Sequence, residues 1–474
     1  MGKYLPKEIL TGILSRLPNE SLWQCKLVCK LWRDIIVYDP SFSHMHIQHR
    51  HTQNDCDSSG KVSFIFEIPT KENNVKGFYY AEFDKTNEKL LRVTDVDLTY
   101  RDEINGTIDY DTLLLHTTWA WDASSQWLTS VSPQIMKAYE EIVGSCNGLV
   151  CMTISYYTGY ELFYKALSVC IPMTRECVVL PRIIGEYYDQ VCERDLIDGF
   201  GYSPSTNEYK VVRIRNSEVY VYTLGDGKGW RNIGTKEYKS AIGEHIHGAY
   251  NRLDKDRNLV SFDLEDEKFG VLPSPPCFRN WDKYSSSYQL REDGEYLSIV
   301  HWNQKDGVYD VWLLKKKELD DYETNKDELD YQSWSWIKEY TLSDDSQQGK
   351  SNPFAITMDN EILFHDDRFF YRHDLNNRIS YPLLGFKKNS PHYIYRAVRH
   401  VNSFVSLKAL GEKDTTTMIE NIVECVVLPE IIVQIDDDDD DDEPYSNDND
   451  VGGGKGGNIL KYVDDKDVEK WGGC

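Results

Sequence analysis

The sequence predicts an α+β multidomain chain: a small N-terminal unit of three short helices, a large all-β, propeller-like domain with about six degenerate blades, and a disordered acidic tail. Three observations carry that prediction. The first forty-odd residues repeat apolar side chains at helical spacing. From Val62 onward the texture changes to short alternating runs broken by turn residues. After Ile435, eight consecutive acids (Asp436 to Glu443) lead into a glycine-rich stretch, a composition that self-repels and does not build a core. The boundaries that follow are 1–43 for the helices, 44–60 for a linker, 61–410 for the β domain, 411–435 for an extra strand or helix, and 436–474 for the tail.

The helices come first. Pro6 suits the first turn of a helix, where its missing N–H forfeits no bond. Leu5, Ile9 and Ile13 recur at helical spacing, with Leu10, Leu14 and Leu17 alongside. Leu17-Pro18 stops that helix, because a residue before proline is pushed out of the α region. Asn19 is the expected N-cap of a second segment, in which Leu22, Cys25, Val28, Leu31, Trp32 and Ile35 keep the period. Asp39-Pro40 is expected to close the unit. So much apolar surface on a unit near the size limit for independent folding predicts that it docks onto something.

The run Leu5-Pro6, Ile9, Leu14, Leu17-Pro18, Ser21-Leu22, Val28-Cys29-Lys30, Trp32, Pro40 and Phe42 resembles an F-box in order and spacing. The resemblance implies binding to a Skp-type adaptor and, through it, to the cullin of an SCF ubiquitin ligase. The rest of the chain would then select the protein substrate. Carried over by position, Leu5, Pro6, Ile9, Leu14, Leu17, Pro18, Leu22, Val28, Cys29 and Trp32 would form the adaptor-facing surface or brace it.

Ser43 to Gly60, with His44, His46, His49 and His51, reads as a polar, turn-rich exit. Strand candidates then follow at 62–68, 77–83, 89–93, 111–117, 148–154, 208–214, 219–224, 259–264, 296–301, 308–314, 362–365 and 368–371. A loose repeat emerges when they are stacked: 144–181, 199–230, 248–273, 296–337 and 354–383 each end in an apolar-Leu-Pro, Trp or Pro-Leu exit. Repeats of this size, each a small sheet, indicate a propeller whose blades cover one another's faces. Residues 62–143 supply a further blade. Gly144-Ser145-Cys146-Asn147-Gly148-Leu149-Val150-Cys151 and the run Gly199 to Val212 resemble the F-box-associated domain of plant F-box proteins. Asn402-Ser403-Phe404-Val405-Ser406-Leu407 resembles that domain's closing strand. The family includes the S-locus F-box proteins of self-incompatibility, whose targets are pistil ribonucleases.

Composition narrows the function. A net charge of −25 argues against nucleic-acid backbones and anionic membranes as partners. Met1 to Pro6 lacks a signal-peptide core, Pro6 spoils a myristoylation signal at Gly2, and no 18-residue apolar run exists. The 11 cysteines are scattered and odd in number, which predicts free thiols in a cytoplasmic chain, with the nucleus also accessible. Several sites look chemical and read better as structure. Cys25 and Cys29 lack a second ligand pair, and Asn105-Gly106-Thr107 is a turn. Asp254, Asp256, Asn258 and Glu265 follow a calcium-loop spacing but place Leu259 where a glycine must turn. Gly199-Phe200-Gly201 and Gly225-Asp226-Gly227-Lys228-Gly229 read as β-turns, and His245 and His247 find no third ligand. No catalytic constellation, cofactor or metal site is predicted. The rivals are a propeller-type enzyme and a glycan-binding module using Trp119-Ala120-Trp121 or Trp334-Ser335-Trp336, although alternating tryptophans usually share one buried face.

Overall fold

The computed structural model describes residues 5–52, 61–69, 76–84, 89–95, 137–158, 161–172, 174, 176–183, 196–235, 243–246, 249–253, 259–280, 286–293, 296–303, 308–316, 334–343, 352–357, 361–374, 379–386, 393–413, 416–417 and 431–433. The strand expected at 111–117, the Asn105 turn, Trp119-Ala120-Trp121, His247, the residues 254–258 and the tail 436–474 lie outside the described residues.

The N-terminal unit holds four helices rather than three: α1 (Lys7–Leu14), α2 (Asn19–Cys25), α3 (Lys30–Tyr38) and α4 (Pro40–Thr52). Pro18, not Asn19, is the residue flanking α2. Pro40 opens a helix instead of closing the unit, and the polar exit expected from residue 44 is helical as far as Thr52. The reason lies at the junction. Asp39 Oδ1 accepts from the Ser41 amide at 3.0 Å and from Ser41 Oγ at 2.6 Å, so it caps α4, and proline is well placed in a first turn. Among the histidines, His46 serves packing: it stacks on Phe42, and its Nε2–H donates to the Leu17 carbonyl at 3.0 Å.

The remaining described residues form six antiparallel sheets. The first contains β1 (Lys61–Pro69), β2 (Lys76–Asp84) and β3 (Lys89–Asp95). The second contains β4 (Lys137–Cys146), β5 (Leu149–Thr158), β6 (Glu161–Ile171) and β7 (Glu176–Val179). The third contains β8 (Leu196–Ser203), β9 (Glu208–Arg215), β10 (Glu218–Thr223) and β11 (Arg231–Thr235). The fourth is β12 (Gly243–Ile246), β13 (Ala249–Leu253), β14 (Leu259–Asp263) and β15 (Lys268–Leu272). The fifth is β16 (Ser286–Asp293), β17 (Tyr296–Asn303), β18 (Val308–Lys316) and β19 (Trp334–Ser343). The sixth is β20 (Asn352–Thr357), β21 (Glu361–His365), β22 (Phe369–Asp374) and β23 (Ile379–Phe386). β24 (Arg396–Arg399) returns to pair with β1, completing the first sheet. Two short strands extend edges: β25 (Thr416–Thr417) on the second sheet and β26 (Ile431–Val433) on the sixth. Strands β4, β8, β12, β16, β20 and β24 neighbour one another in a closed ring, which makes the domain a six-bladed β-propeller.

The closing strand is Arg396–Arg399, and Asn402–Leu407 lies beyond the sheet, because its apolar residues are drawn into two different cores. Gly199-Phe200-Gly201 is not a turn but part of β8, where Gly199 pairs with Val212 and Gly201 with Lys210.

Each seam between blades has its own core, and the alternation of side chains explains how. On β9, Tyr209 and Val211 face the second blade, whereas Val212 and Ile214 face the fourth. On β1, Val62, Phe64, Phe66 and Ile68 face the sixth blade, and Ile65 faces the second. Strands covered on both sides read as continuous apolar runs, so periodicity alone understates them. The first–sixth seam is the most aromatic: Phe64 lies 5.2 Å from Phe354 and 4.9 Å from Phe370, ring centre to ring centre. The Leu-Pro exits are also explained. Trp230 Nε1 donates to the Pro181 carbonyl at 2.6 Å, and Trp336 Nε1 donates to the Pro273 carbonyl at 2.7 Å. In the third and fifth blades a tryptophan thus clasps the exit of the preceding blade.

Closure of the ring is locked by a buried histidine. The His400 amide donates to the Ser63 carbonyl at 3.1 Å, and Ser63 Oγ donates to the His400 carbonyl at 2.6 Å. The ring's Nε2 lies 3.2 Å from Asn402 Oδ1, and its Nδ1 lies 2.8 Å from Ser145 Oγ. Burial pushes the imidazole pKa down to about 4, against a smaller upward pull from Asn402. Between about pH 6.5 and 4 the unfolded chain therefore binds a proton that the folded chain refuses. The contribution is complete above the unfolded value and is lost as pH falls through the folded one. Denaturant unfolding across that window is expected to show about 3 kcal/mol of pH-dependent stability that His400→Gln abolishes. Equal pH slopes for the two chains would refute this.

Candidate functional site

The N-terminal helices share a core of Leu10, Leu14, Leu22, Ile35, Ile36 and Phe42, with Leu17, Cys25, Trp32 and Val37 packed at its margin. Lys7 Nζ and Asp39 Oδ2, 3.0 Å apart, tie the start of α1 to the end of α3. Burial works against ionisation of Asp39, but the bonds from Ser41 and Lys7 outweigh it and hold the carboxyl below its usual range.

With that core satisfied, a second apolar surface remains outside. Leu5, just ahead of α1, and Ile9 and Ile13 on its outer face recur every four residues, at 55%, 54% and 48% exposure. At the corner between α2 and α3, Leu27 and Val28 are 75% and 63% exposed, followed by Leu31. Trp23 and Tyr38 are also exposed. Exposed apolar side chains scattered singly need no explanation, but a stripe on a small helical unit marks a binding surface.

The residues named by the F-box resemblance divide between the two surfaces. Leu5, Pro6, Ile9, Pro18, Val28 and Cys29 lie exposed, Leu17 and Trp32 are half-buried, and Leu14 and Leu22 belong to the core as braces. Ile13, Leu27 and Leu31 complete the outer surface and were absent from that set. Ile13 had a legible signal, one helical turn beyond Ile9.

The unit is seated on the propeller by the segment after β24. In the second to sixth blades the chain starts at the inner strand and works outward, and in the first blade the inner strand β24 is supplied last. The turns joining first to second strands, and third to fourth, therefore share one face. The chain beyond His400 crosses that face from the first blade to the third. Ser403 Oγ donates to the Asn147 carbonyl at 2.5 Å in the second blade's first turn. Gly148 there has φ +84°, and a Cβ on it would collide with Ser403. Glu176 accepts from Ser406 Oγ at 2.9 Å and from the Leu407 amide at 2.6 Å, holding the short helix α5 (Leu407–Leu410). Gly225, with φ +79°, passes so close to the Leu410 backbone that no side chain fits. From this segment Phe404 enters the core of the helical unit and lies 6.1 Å from Trp23, ring centre to ring centre. Val405 and Leu407 enter the core between the second and third blades, where Ile47 of α4 meets them. The Asn147-Gly148 and Asn402–Leu407 motifs thus touch each other.

No group of three or more His, Cys, Asp or Glu suited to a metal occurs among the described residues. Glu265 lies in the turn between β14 and β15, where Asp263 Oδ1 accepts from the Glu265 and Asp266 amides, so the hairpin accounts for it. Trp334 and Trp336 pack against the core between the fourth and fifth blades instead of forming a sugar platform.

Comparison with known proteins agrees with this anatomy. Residues 3–48 match the F-box-like family, and residues 113–348 match the F-box associated beta propeller domain. The Arabidopsis thaliana "F-box protein At3g07870" is 25% identical over 374 residues, covering 71% of this chain and 72% of that one. "Putative F-box protein At3g52320" of the same plant is 26% identical over 346 residues, covering 68% and 72%. Of solved structures, TolB from Acinetobacter baumannii aligns at 10% identity with a TM-score of 0.36, covering 76% of this chain and 72% of TolB. The fold assignment rests on the strand order above, not on that alignment. Helices, ring and relatives agree: the chain belongs to the plant F-box proteins that carry an F-box-associated propeller domain.

Proposed function

We propose that this chain is the substrate-recognition subunit of an SCF-type ubiquitin ligase and performs no bond chemistry itself. The observation that carries the reading is the outer stripe Leu5, Ile9 and Ile13, left uncovered on a module whose core is filled from the other side by its own helices and Phe404. The stripe and the Leu27-Val28 corner dock the Skp adaptor, and the cullin follows through it. Affinity comes from burying those side chains, each contributing roughly 1.5–3 kcal/mol when fully covered. The propeller holds the target. Tethering target and ubiquitin-charged enzyme on one scaffold raises the effective concentration of target lysines, which is the whole of the catalytic gain.

With the helices on one face of the ring, the target meets the opposite face, where second strands turn into third strands and one blade leads to the next. Tyr393 and Tyr395 stand exposed there, flanking the entry to β24. A pistil ribonuclease as the target, and so a role in self-incompatibility, is the finer reading, and it rests only on the S-locus proteins being members of the family whose domain Gly144–Cys151 and Gly199–Val212 resemble. Action in the cytoplasm, and in the nucleus, accords with the scattered cysteines. Size-exclusion chromatography of the full chain with purified Skp adaptor tests the central reading. Co-elution in a stable complex is expected, and separate elution of two folded proteins would overturn it. Immobilised pistil ribonuclease, offered to that complex, tests the finer one.

A further inference from the structure

Phe404 sits some 360 residues beyond the helical unit in sequence, yet it is 3% exposed inside that unit's core. It is delivered there by the chain segment that immediately follows the closing strand. Ser43 Oγ donates to the Phe404 carbonyl at 3.4 Å, and Trp23 covers the ring from α2. The delivering segment is pinned on both sides of Phe404. His400 and Ser403 hold it to the first and second blades, and Glu176 and Gly225 hold it to the second and third. Two positions beneath the segment, Gly148 under Ser403 and Gly225 under Leu410, are glycines at which a side chain would push it off its track.

We propose that ring closure switches on adaptor binding: the helical unit becomes a competent docking module only after β24 has closed the propeller and brought Phe404 into place. Phe404 is then a positioning residue for the adaptor surface, acting through Leu22, Ile35 and Trp23 on the exposed stripe and corner. A chain with an open or miscoupled ring would present a loosened module and would not be coupled to the ligase. The proposal rests on the adaptor reading above for its biological meaning, but its physical content, the dependence of the helices on Phe404, is measured separately.

The test uses the full chain and two readouts, hydrogen exchange of the helix amides and capture of purified Skp adaptor. Phe404→Ala is expected to speed exchange in α2 and α3 at least tenfold and to weaken capture at least tenfold, with β9, β14 and β18 still protected. Phe404→Leu, which refills most of the space, is expected to restore both. Gly148→Ala leaves Phe404 in the sequence but unseats the segment, and is expected to reproduce the alanine phenotype. Unchanged exchange in α2 and α3 with Phe404→Ala would overturn the proposal, as would loss of protection spread equally over β9, β14 and β18. Faster exchange with full capture would overturn the link to binding. If the wild-type chain captures no adaptor, the functional reading fails, while the exchange data still report whether ring and helices are coupled.

Discussion

Ile9→Asp in the full chain is expected to abolish capture of the Skp adaptor while leaving the melting temperature within about a degree of wild type. Ile9 is the middle residue of the outer stripe and is 54% exposed in the free chain. Exposed substitutions of this kind usually change stability by no more than about 0.5 kcal/mol. In the complex the same position is covered. The aspartate forfeits roughly 1.5–3 kcal/mol of apolar burial and adds the cost of burying an unpaired carboxylate. A loss beyond about 3 kcal/mol corresponds to more than a hundredfold in affinity. Leu14→Ala supplies the contrast, since Leu14 is 1% exposed and belongs to the helical core. It is expected to cost about 2–5 kcal/mol of stability, so any binding defect arrives with a folding defect. Titration calorimetry and scanning calorimetry on the same samples separate the two. Wild-type affinity for Ile9→Asp would remove the stripe from the interface.

The largest effect on stability is expected from Asp198→Ala in the third blade. Asp198 Oδ1 lies 2.7 Å from Arg213 Nε, and its Oδ2 lies 3.3 Å from Arg213 Nη2 and 3.5 Å from Lys165 Nζ. Arg213 Nη1 also donates to the Lys165 carbonyl at 2.9 Å, tying the third blade to the second. Both members of the Asp198–Arg213 pair have side chains only 3% exposed. Burial alone would raise the Asp198 pKa, but Arg213 and Lys165 outweigh it and hold the carboxyl below its usual range. The pair is therefore intact above the ordinary aspartate range and fails as pH falls through the depressed value. Removing the carboxylate strands a guanidinium in an apolar seam, an error that costs about 3–5 kcal/mol. Against a total stability of about 5–15 kcal/mol, that is a severe lesion. The triple variant Asp198→Leu, Arg213→Met and Lys165→Met is expected to recover much of the loss, because apolar side chains of similar size need no charge partner. Urea unfolding monitored by tryptophan fluorescence measures both. A single variant as stable as wild type would show that water reaches the pair.

Much of the fold is legible in the residues because local and global preferences agree. Val219–Leu224 and Tyr296–His301 alternate or run apolar between turn residues, and both are strands in the structure. The repeat of Leu-Pro exits and tryptophans is legible too, since each is one half of a clasp between neighbouring blades. What escaped has physical reasons. The closing strand reads Arg-Ala-Val-Arg, and its stability comes from a partner more than 300 residues away, so no local pattern announces it. Helix α4 carries four histidines and few apolar residues, and it is fixed by packing of Phe42 and Ile47 instead of by amphipathicity. In the helical unit the sequence located the greasy residues but not their direction. Leu14 and Ile9 carry the same hydrophobic signal, yet one is core and the other surface, and only the packing of α1 against Ile35, Ile36 and Phe404 separates them.

The pairing of β1 with β24 also sets a timetable for biosynthesis. Lys61–Pro69 leaves the ribosome more than 300 residues ahead of its partner Arg396–Arg399. At roughly 5–20 residues per second, the nascent chain carries that strand half-paired for some tens of seconds. The strand bears Phe64, Ile65 and Phe66 beside an open hydrogen-bonding edge, which is a strong template for sticking to other chains. Yield in the cell should therefore depend on holdase chaperones that shield this edge until β24 has been made. A circular permutant that makes both strands consecutively should shed that dependence.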